Sequence, residues 1–233
     1  KTGGQITSGA NFSGDKVLFG SEDSELYCLT KADGKLAWKF KIEGGPVNAS
    51  PAVVGGMTFV AGCDSSLHVI DIATGKEISS IELGGQVGAT AAVDGDELYV
   101  GLMTNQVLGI NWKKKAVLWT FEPARAKPFY ASAALTDKLV VTASRDRKVY
   151  AIDRKKGTEV WSFNTKRDVD SSPVIAGKRV YVGSTDGNLY VLDLEKGTEL
   201  ASYDLGDEIL GSPAVSKGCL VIGTIKGELF CFE

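Results

Sequence analysis

The sequence has few of the residues that most often carry catalysis or bind metal. Its 233 residues include a single histidine, His68, and four cysteines, none of them in a Cys-x-x-Cys pair. This composition argues against the usual tetrahedral zinc sites, and a nucleophilic serine would lack a partner base. We therefore expect no metal site and no catalytic residue. We expect four free, buried thiols: Cys28, Cys63, Cys219 and Cys231.

Long apolar runs are also missing, so no segment is predicted to span a bilayer. No signal peptide is visible. The chain begins with Lys1 instead of Met, and we expect it to be an excised domain whose flanking segments lie outside the sequence. Free cysteines are weakly indicative of a reducing compartment, so a cytoplasmic location stays open.

The sequence is rich in glycine, with 28 residues, and poor in helix-favouring stretches, which predicts strands and turns. One short pattern recurs: an apolar residue, a variable residue, a tiny residue, and then a small residue that is mostly hydroxylated. This pattern is a structural repeat, and its serines belong to that repeat. The six copies begin at Ile6, Val47, Val87, Phe129, Val169 and Ile209.

Each copy continues with a second strand ending in Gly or Ala, and these ends lie 39 to 42 residues apart. A third strand, a polar turn and a fourth strand follow. Four strands per 40 residues or so predict an all-β protein, a six-bladed β-propeller of four-stranded antiparallel blades. We expect one domain over residues 1–233, with blades at 6–46, 47–86, 87–128, 129–168, 169–208 and 209–233. Small residues suit the innermost strands, which converge on one axis.

The motif Leu189-Tyr-Val-Leu-Asp193, followed by Lys196-Gly-Thr-Glu199, resembles the repeat of pyrroloquinoline-quinone (PQQ) type β-propellers. The similarity covers essentially the whole chain and is strongest to the non-enzymatic branch that includes BamB. The WD40 alternative lacks its Gly-His and Trp-Asp signatures. The resemblance implies that outer-strand tryptophans dock onto the neighbouring blade, and weaker docking where Ser79 and Ala201 replace them. The docking tryptophans would be Trp38, Trp119 and Trp161.

PQQ enzymes of this family use a vicinal disulfide, a calcium ion held by Glu and Asn, and an Asp base near the axis. This sequence has no adjacent cysteines, and Asn48 and Asp170 are the only such near-axis side chains. A calcium cage needs about six to eight oxygen ligands. We therefore expect no cofactor and no enzymatic activity.

The sixth copy ends at Glu233, after its third strand, so this blade lacks its outer strand within the chain. Two arrangements fit. Residues upstream of Lys1 could supply the missing strand and close the ring. Alternatively, the blade stays three-stranded, with an exposed edge that invites pairing with another chain.

Charge is unevenly distributed along the chain. Residues 111–167 hold 14 basic and 5 acidic residues, a net charge of +9, whereas the remainder holds 12 basic and 24 acidic residues, a net charge of −12. The basic residues of this segment either are ordinary solvent-exposed loop residues or form a docking surface for an acidic partner protein. We expect Trp112 to be exposed beside its lysines, and no nucleic acid partner. The candidate contacts are Trp112, Lys113, Lys114, Lys115, Arg125 and Lys127.

Asn48, Tyr130 and Asp170 are candidate residues for the rim of the channel mouth, beside the irregular linker 125–130. The leading functional hypothesis is a protein–protein interaction scaffold, which by the resemblance would work in the periplasm or cell envelope. A ligand-sensing domain attached to a signalling protein such as a kinase is the alternative. A quinone-dependent dehydrogenase is disfavoured.

Overall fold

The computed structural model describes residues 1–125 and 127–233, and these form β-strands joined by turns, with no helix. Accordingly, the described residues contain no helical segment that could span a membrane. The strands assemble into six sheets within the described ranges, five with four strands and one with three. The predicted β-propeller fold is confirmed.

Each sheet is one blade, and its strands are neighbours in chain order. Blades one to three hold β1 (Asn11–Ser13), β2 (Lys16–Gly20), β3 (Glu25–Thr30), β4 (Leu36–Lys41), β5 (Ala52–Val54), β6 (Met57–Ala61), β7 (Ser66–Asp71), β8 (Glu77–Glu82), β9 (Ala92–Asp94), β10 (Glu97–Gly101), β11 (Val107–Asn111) and β12 (Ala116–Phe121). Blades four to six hold β13 (Ala134–Leu135), β14 (Leu139–Ser144), β15 (Lys148–Asp153), β16 (Glu159–Asn164), β17 (Val174–Ala176), β18 (Arg179–Gly183), β19 (Asn188–Asp193), β20 (Glu199–Asp204), β21 (Ala214–Ser216), β22 (Cys219–Gly223) and β23 (Leu229–Phe232).

Neighbouring strands within every blade are antiparallel, so successive turns alternate between two faces of the propeller. We call the upper face the one that carries the turns between second and third strands and the linkers between blades. The lower face carries the turns between first and second strands and between third and fourth strands. This division decides which loops can act together.

Serines and other small residues near the axis join successive blades. The backbone N–H of Ser132 donates to Ser172 Oγ at 2.9 Å, and the N–H of Ser172 donates to Ser212 Oγ at 3.0 Å. Ala131 and Ser171 are fully buried beside them. The recurring hydroxyl residues therefore hold neighbouring first strands together, which explains the pattern without catalysis.

Outer-strand tryptophans pack against the next blade. A β-bulge beside each of them, for example between Ala151 and Ile152 of β15, locally increases the twist of the sheet. The ring of Trp161 lies against Gly197, where an added Cβ would sit 2.4 Å from the ring. Each indole Nε1 donates to a carbonyl of the next blade at 2.8–2.9 Å; the pairs are Trp38–Ile72, Trp119–Arg154 and Trp161–Leu194.

Trp112 corrects one expectation. It was predicted to be exposed, but it is only 6% exposed, because its ring packs edge-on against Phe59 of blade two at a centroid distance of 5.2 Å. Its Nε1 donates to the Gly95 carbonyl at 2.9 Å. In blade two, Ser79 occupies the outer-strand position that holds tryptophan in other blades. Trp112 of blade three therefore supplies the ring at this interface from the opposite side. The interface at blade two is therefore not left without an indole.

Blade six has three strands within the described residues. No hydrogen bond or hydrophobic cluster joins it to blade one across residues 1–125 and 127–233. Ile209 is fully buried against Gly183 of the preceding blade, whereas its counterpart Ile6 is 52% exposed and makes no such contact with Gly223. Within the described residues, the contacts that join consecutive blades are therefore not seen between blades six and one.

Candidate docking site at the channel mouth

The upper mouth of the channel carries an ordered group of polar side chains from blades four and five. Arg145, in the turn between β14 and β15, donates from Nε and Nη2 to the two carboxylate oxygens of Asp170 at 2.8 and 2.7 Å. The same guanidinium stacks on Tyr130, with its central carbon 4.0 Å from the ring centroid. The hydrogen bonds that Arg145 donates to Asp170 raise the pKa of Arg145.

Tyr130 is also held on its other side. A Cβ at Gly88 would lie 2.6 Å from Cδ1 of Tyr130 and 3.0 Å from Cε of Met103, so both side chains occupy the space above this glycine. A continuous layer of Met103, Tyr130, Arg145 and Asp170 therefore spans blades three to five. We call it the mouth layer. Its hydrogen bonds and its stacking contact restrain Arg145, Asp170 and Tyr130, which lowers the cost of ordering them on binding.

Asn48 lies apart from this layer, although the sequence placed it at the same mouth. It accepts a hydrogen bond from the Thr7 hydroxyl at 3.3 Å, which links blades one and two. No hydrogen bond connects it to Tyr130 or Asp170 in the described part of the chain. Of the three predicted mouth residues, the structure brings Tyr130 and Asp170 together through Arg145.

Arg125 and Lys127 are exposed on the upper face, in the linker that leads into blade four. Both line a cavity of about 810 Å³ together with Arg147 and Lys148. Two acidic residues, one of them Asp146, share the lining, so cations predominate in it. The upper face of blades three and four therefore carries a cavity with more basic than acidic side chains in its lining.

Lys113, Lys114 and Lys115 lie in the turn between β11 and β12, and therefore on the lower face. Lys113 forms an ion pair with Asp96 at 2.6 Å and lies over the ring of buried Trp112. The predicted contact residues therefore fall into two groups on opposite faces. They do not form one patch.

Sequence reasoning missed Arg145, the residue that joins the mouth layer. The repeat alignment could have identified this residue, because Arg145 is the only basic residue at its position. The equivalent residues of the other blades are Glu22, Cys63, Met103, Thr185 and Ile225. No group of three or more metal-ligating side chains converges within residues 1–125 and 127–233.

Comparison with known proteins identifies the family of this chain. The family model described as outer membrane protein assembly factor BamB matches residues 1–77 and 63–233. The chain belongs to the BamB family. A solved structure of BamB from Moraxella catarrhalis superposes with a TM-score of 0.85 over 99% of this chain and 70% of that one. At 20% identity, this likeness shows the fold.

The curated sequence relatives match a smaller share of the chain. Outer membrane protein assembly factor BamB from Burkholderia pseudomallei is 26% identical over 137 residues, which is 58% of this chain and 35% of that protein. The matched stretch thus spans about a third of that BamB relative. A beta-alanine-activating enzyme from Danio rerio is 32% identical over 97 residues, which is 39% of this chain and 8% of the enzyme.

Proposed function

We propose that this protein is a non-catalytic scaffold that holds a partner protein at the upper mouth of the propeller, in the bacterial cell envelope. The mouth layer is the observation that carries the proposal, because it offers an aromatic ring and a guanidinium in fixed positions, side chains that dominate protein contacts. The relatives named outer membrane protein assembly factors support a role in outer-membrane assembly.

The partner is expected to present acidic residues. The cavity beside the mouth layer is lined by Arg125, Lys127 and Arg147, and the rest of the propeller is acidic enough to steer an acidic segment towards this basic site. The stacked Arg145 keeps Nη1 free of hydrogen-bond partners in the described residues, and this nitrogen can donate to a carboxylate.

Site-specific photo-cross-linking tests the location. A photoreactive phenylalanine replaces Tyr130 in one variant and exposed Lys114 of the lower face in the control. Both are produced in a bacterium whose own BamB is deleted. We expect position 130 to cross-link to an outer-membrane assembly protein, identified by mass spectrometry, and position 114 not to. No adduct at position 130, or equal adducts at both, would contradict the proposal.

Charge reversal tests the chemistry. The double variants Arg125→Glu/Lys127→Glu and Lys113→Glu/Lys114→Glu change the net charge equally, one pair on each face. We expect only the first pair to lower the cross-linking yield from position 130, by at least tenfold. Equal losses would mean that overall charge, and not the upper cavity, governs binding.

A further inference from the structure

The single histidine of the chain occupies a position that other blades fill with tyrosine. His68 is the third residue of β7, and the third residue of the third strand is a tyrosine in blades one, four and five. His68 Nε2 lies 2.7 Å from Oδ2 of Asp64, four residues earlier. Each tyrosine hydroxyl likewise donates to an aspartate four residues earlier; the pairs are Tyr27–Asp23, Tyr150–Asp146 and Tyr190–Asp186.

The imidazole of His68 also has a carboxylate beside its other nitrogen. Nδ1 lies 2.6 Å from Oε1 of Glu77, the first residue of β8. A carboxylate only accepts hydrogen bonds, and a neutral imidazole has a single N–H to donate. Both contacts can therefore be hydrogen bonds only when both ring nitrogens carry hydrogen, so the complete arrangement requires the imidazolium.

The ring lies at the interface between blades one and two. The side chain of His68 is only 11% exposed. Among the described residues, Asp64 and Glu77 are the only side chains that form hydrogen bonds or ion pairs with it. The uncharged neighbours are Phe40 of β4, which packs on the ring at a centroid distance of 5.6 Å, Val60 opposite on β6 and Ser80 opposite on β8.

The lysines on either side of Phe40 are paired with other carboxylates. Lys39 forms an ion pair with Glu25 at 2.8 Å, and Lys41 forms one with Glu43 at 3.2 Å. Blade one therefore covers His68 with an apolar ring, and its neighbouring charges are engaged elsewhere.

The tyrosines at the equivalent position do not change charge near neutral pH. For example, the hydrogen bond to Asp23 raises the pKa of Tyr27 to about 12. Histidine is the side chain whose charge ordinarily changes between about pH 5 and 8. Blade two therefore has a titratable group where three other blades have a neutral phenol.

We propose that Asp64, His68 and Glu77 form a pH-sensitive clamp that ties the start of β8 to the turn between β6 and β7. When the ring loses a proton, Asp64 keeps the remaining N–H. Its side chain is 18% exposed, against 36% for Glu77, and it also accepts from the N–H of Ser66 at 3.1 Å. Glu77 then faces a lone pair and turns to solvent.

The direction of the pH effect follows from this geometry. The second hydrogen bond exists only with the cationic ring, so its contribution to stability is present at low pH. It is lost as the pH rises through the titration of His68. The clamp lies in blade two and involves no residue of the mouth layer.

Thermal unfolding of the 233-residue protein at about pH 5.5 and about pH 8.0 tests the clamp, because carboxylates stay ionised over this range. In Glu77→Gln, the amide can accept from the imidazolium or donate to the neutral ring, so both states are satisfied. Between the two pH values, we expect the wild-type thermal midpoint to fall by at least about 3 °C relative to this variant.

The matched control is Glu82→Gln, at an exposed position of the same strand. It removes the same charge and should follow the wild type. If the midpoints of the wild type and Glu77→Gln change in parallel with pH, or if Glu82→Gln behaves like Glu77→Gln, the proposal is overturned.

Nuclear magnetic resonance identifies the group responsible. His68 is the only histidine, so its ring signals need no further assignment. Proton–nitrogen correlation spectra show which ring nitrogen carries hydrogen. We expect both nitrogens to be protonated at about pH 5.5 and only Nε2 at about pH 8.0, with the change over the same range as the fall in midpoint. A ring that keeps both hydrogens at the higher pH, or that keeps only the one on Nδ1, contradicts the clamp. These measurements involve no partner protein, so they leave the proposed function untouched.

Discussion

The interface between blades four and five and the interface between blades two and three hold the same kind of ring in different ways. In the first, Trp161 of the outer strand lies on Gly197, which has a φ of 68° and no side chain to obstruct the ring. In the second, Ser79 replaces the tryptophan, Trp112 comes from the next blade, and Lys115 stands in the glycine position with a φ of 51°.

The comparison shows which structural constraint requires a glycine at position 197. The left-handed backbone conformation is common to both turns, so it alone does not require glycine. The ring of Trp161 does, because any Cβ at position 197 would overlap it. Where the ring arrives from the other side, a lysine is accommodated at the cost of backbone strain. The glycine and the outer-strand tryptophan therefore form one structural unit.

Removal of either ring should have the largest effect. Trp161 and Trp112 are both at least 93% buried, so we expect Trp161→Ala and Trp112→Ala each to lower the free energy of unfolding by about 3–5 kcal/mol. Urea denaturation followed by circular dichroism measures the loss. The matched control is Leu118→Ala, at an exposed outer-strand position, which should change little. A small loss for Trp112→Ala would mean that the two rings are not equivalent.

Glycine-to-alanine substitutions distinguish backbone strain from overlap with the tryptophan ring. Gly197→Ala should cost about 2–4 kcal/mol, because backbone strain adds to overlap with Trp161. Gly34, in the same turn of blade one, has a φ of 66° and no neighbour within 4 Å of an added Cβ. Gly34→Ala should therefore cost only the strain, about 1 kcal/mol. Equal losses in urea denaturation would show that the ring contributes nothing to the requirement.

Most of the fold was predictable because it repeats. Six copies of one pattern predicted the strand order and the small residues near the axis. The placement of Trp112 was not predictable in the same way. A column of aligned residues shows that Ser79 lacks a ring, but it does not show which neighbouring side chain fills the space. That outcome depends on packing between blades, which the pattern within one blade does not encode.

The candidate site was only partly predictable for a related reason. Tyr130 and Asp170 were identified from their place after the first apolar residue of each copy, but their connection runs through Arg145 of a different turn. The lysine-rich turn was grouped with Arg125 and Lys127 because these residues are close in sequence. Alternating strand direction places them on opposite faces, and only the assembled sheet makes that separation visible.

A smaller effect is expected from Ser79 itself. Its hydroxyl oxygen is buried and has no hydrogen-bond partner among the described residues. A buried hydroxyl without a partner costs about 1–3 kcal/mol, so Ser79→Ala should stabilise the protein by about 1 kcal/mol after the small loss of packing. The control Ser80→Ala lies at an exposed position and should change the urea midpoint little. Destabilisation by Ser79→Ala would indicate that the hydroxyl is satisfied in solution.

The smallest effect concerns the strained turn of blade three. Lys115→Gly should raise the free energy of unfolding by about 0.5 kcal/mol, because relief of the left-handed strain slightly exceeds the added freedom of glycine in the unfolded chain. Lys114→Gly removes the same charge at a position without positive φ and should lower stability by a similar amount. If urea denaturation shows that the two variants change the free energy of unfolding in opposite directions, the difference is due to the backbone conformation and not to the lost charge. If both variants were destabilised, the lysine at position 115 would be retained for a contact that outweighs its strain, and the glycine of the other blades would not be the better residue for this turn.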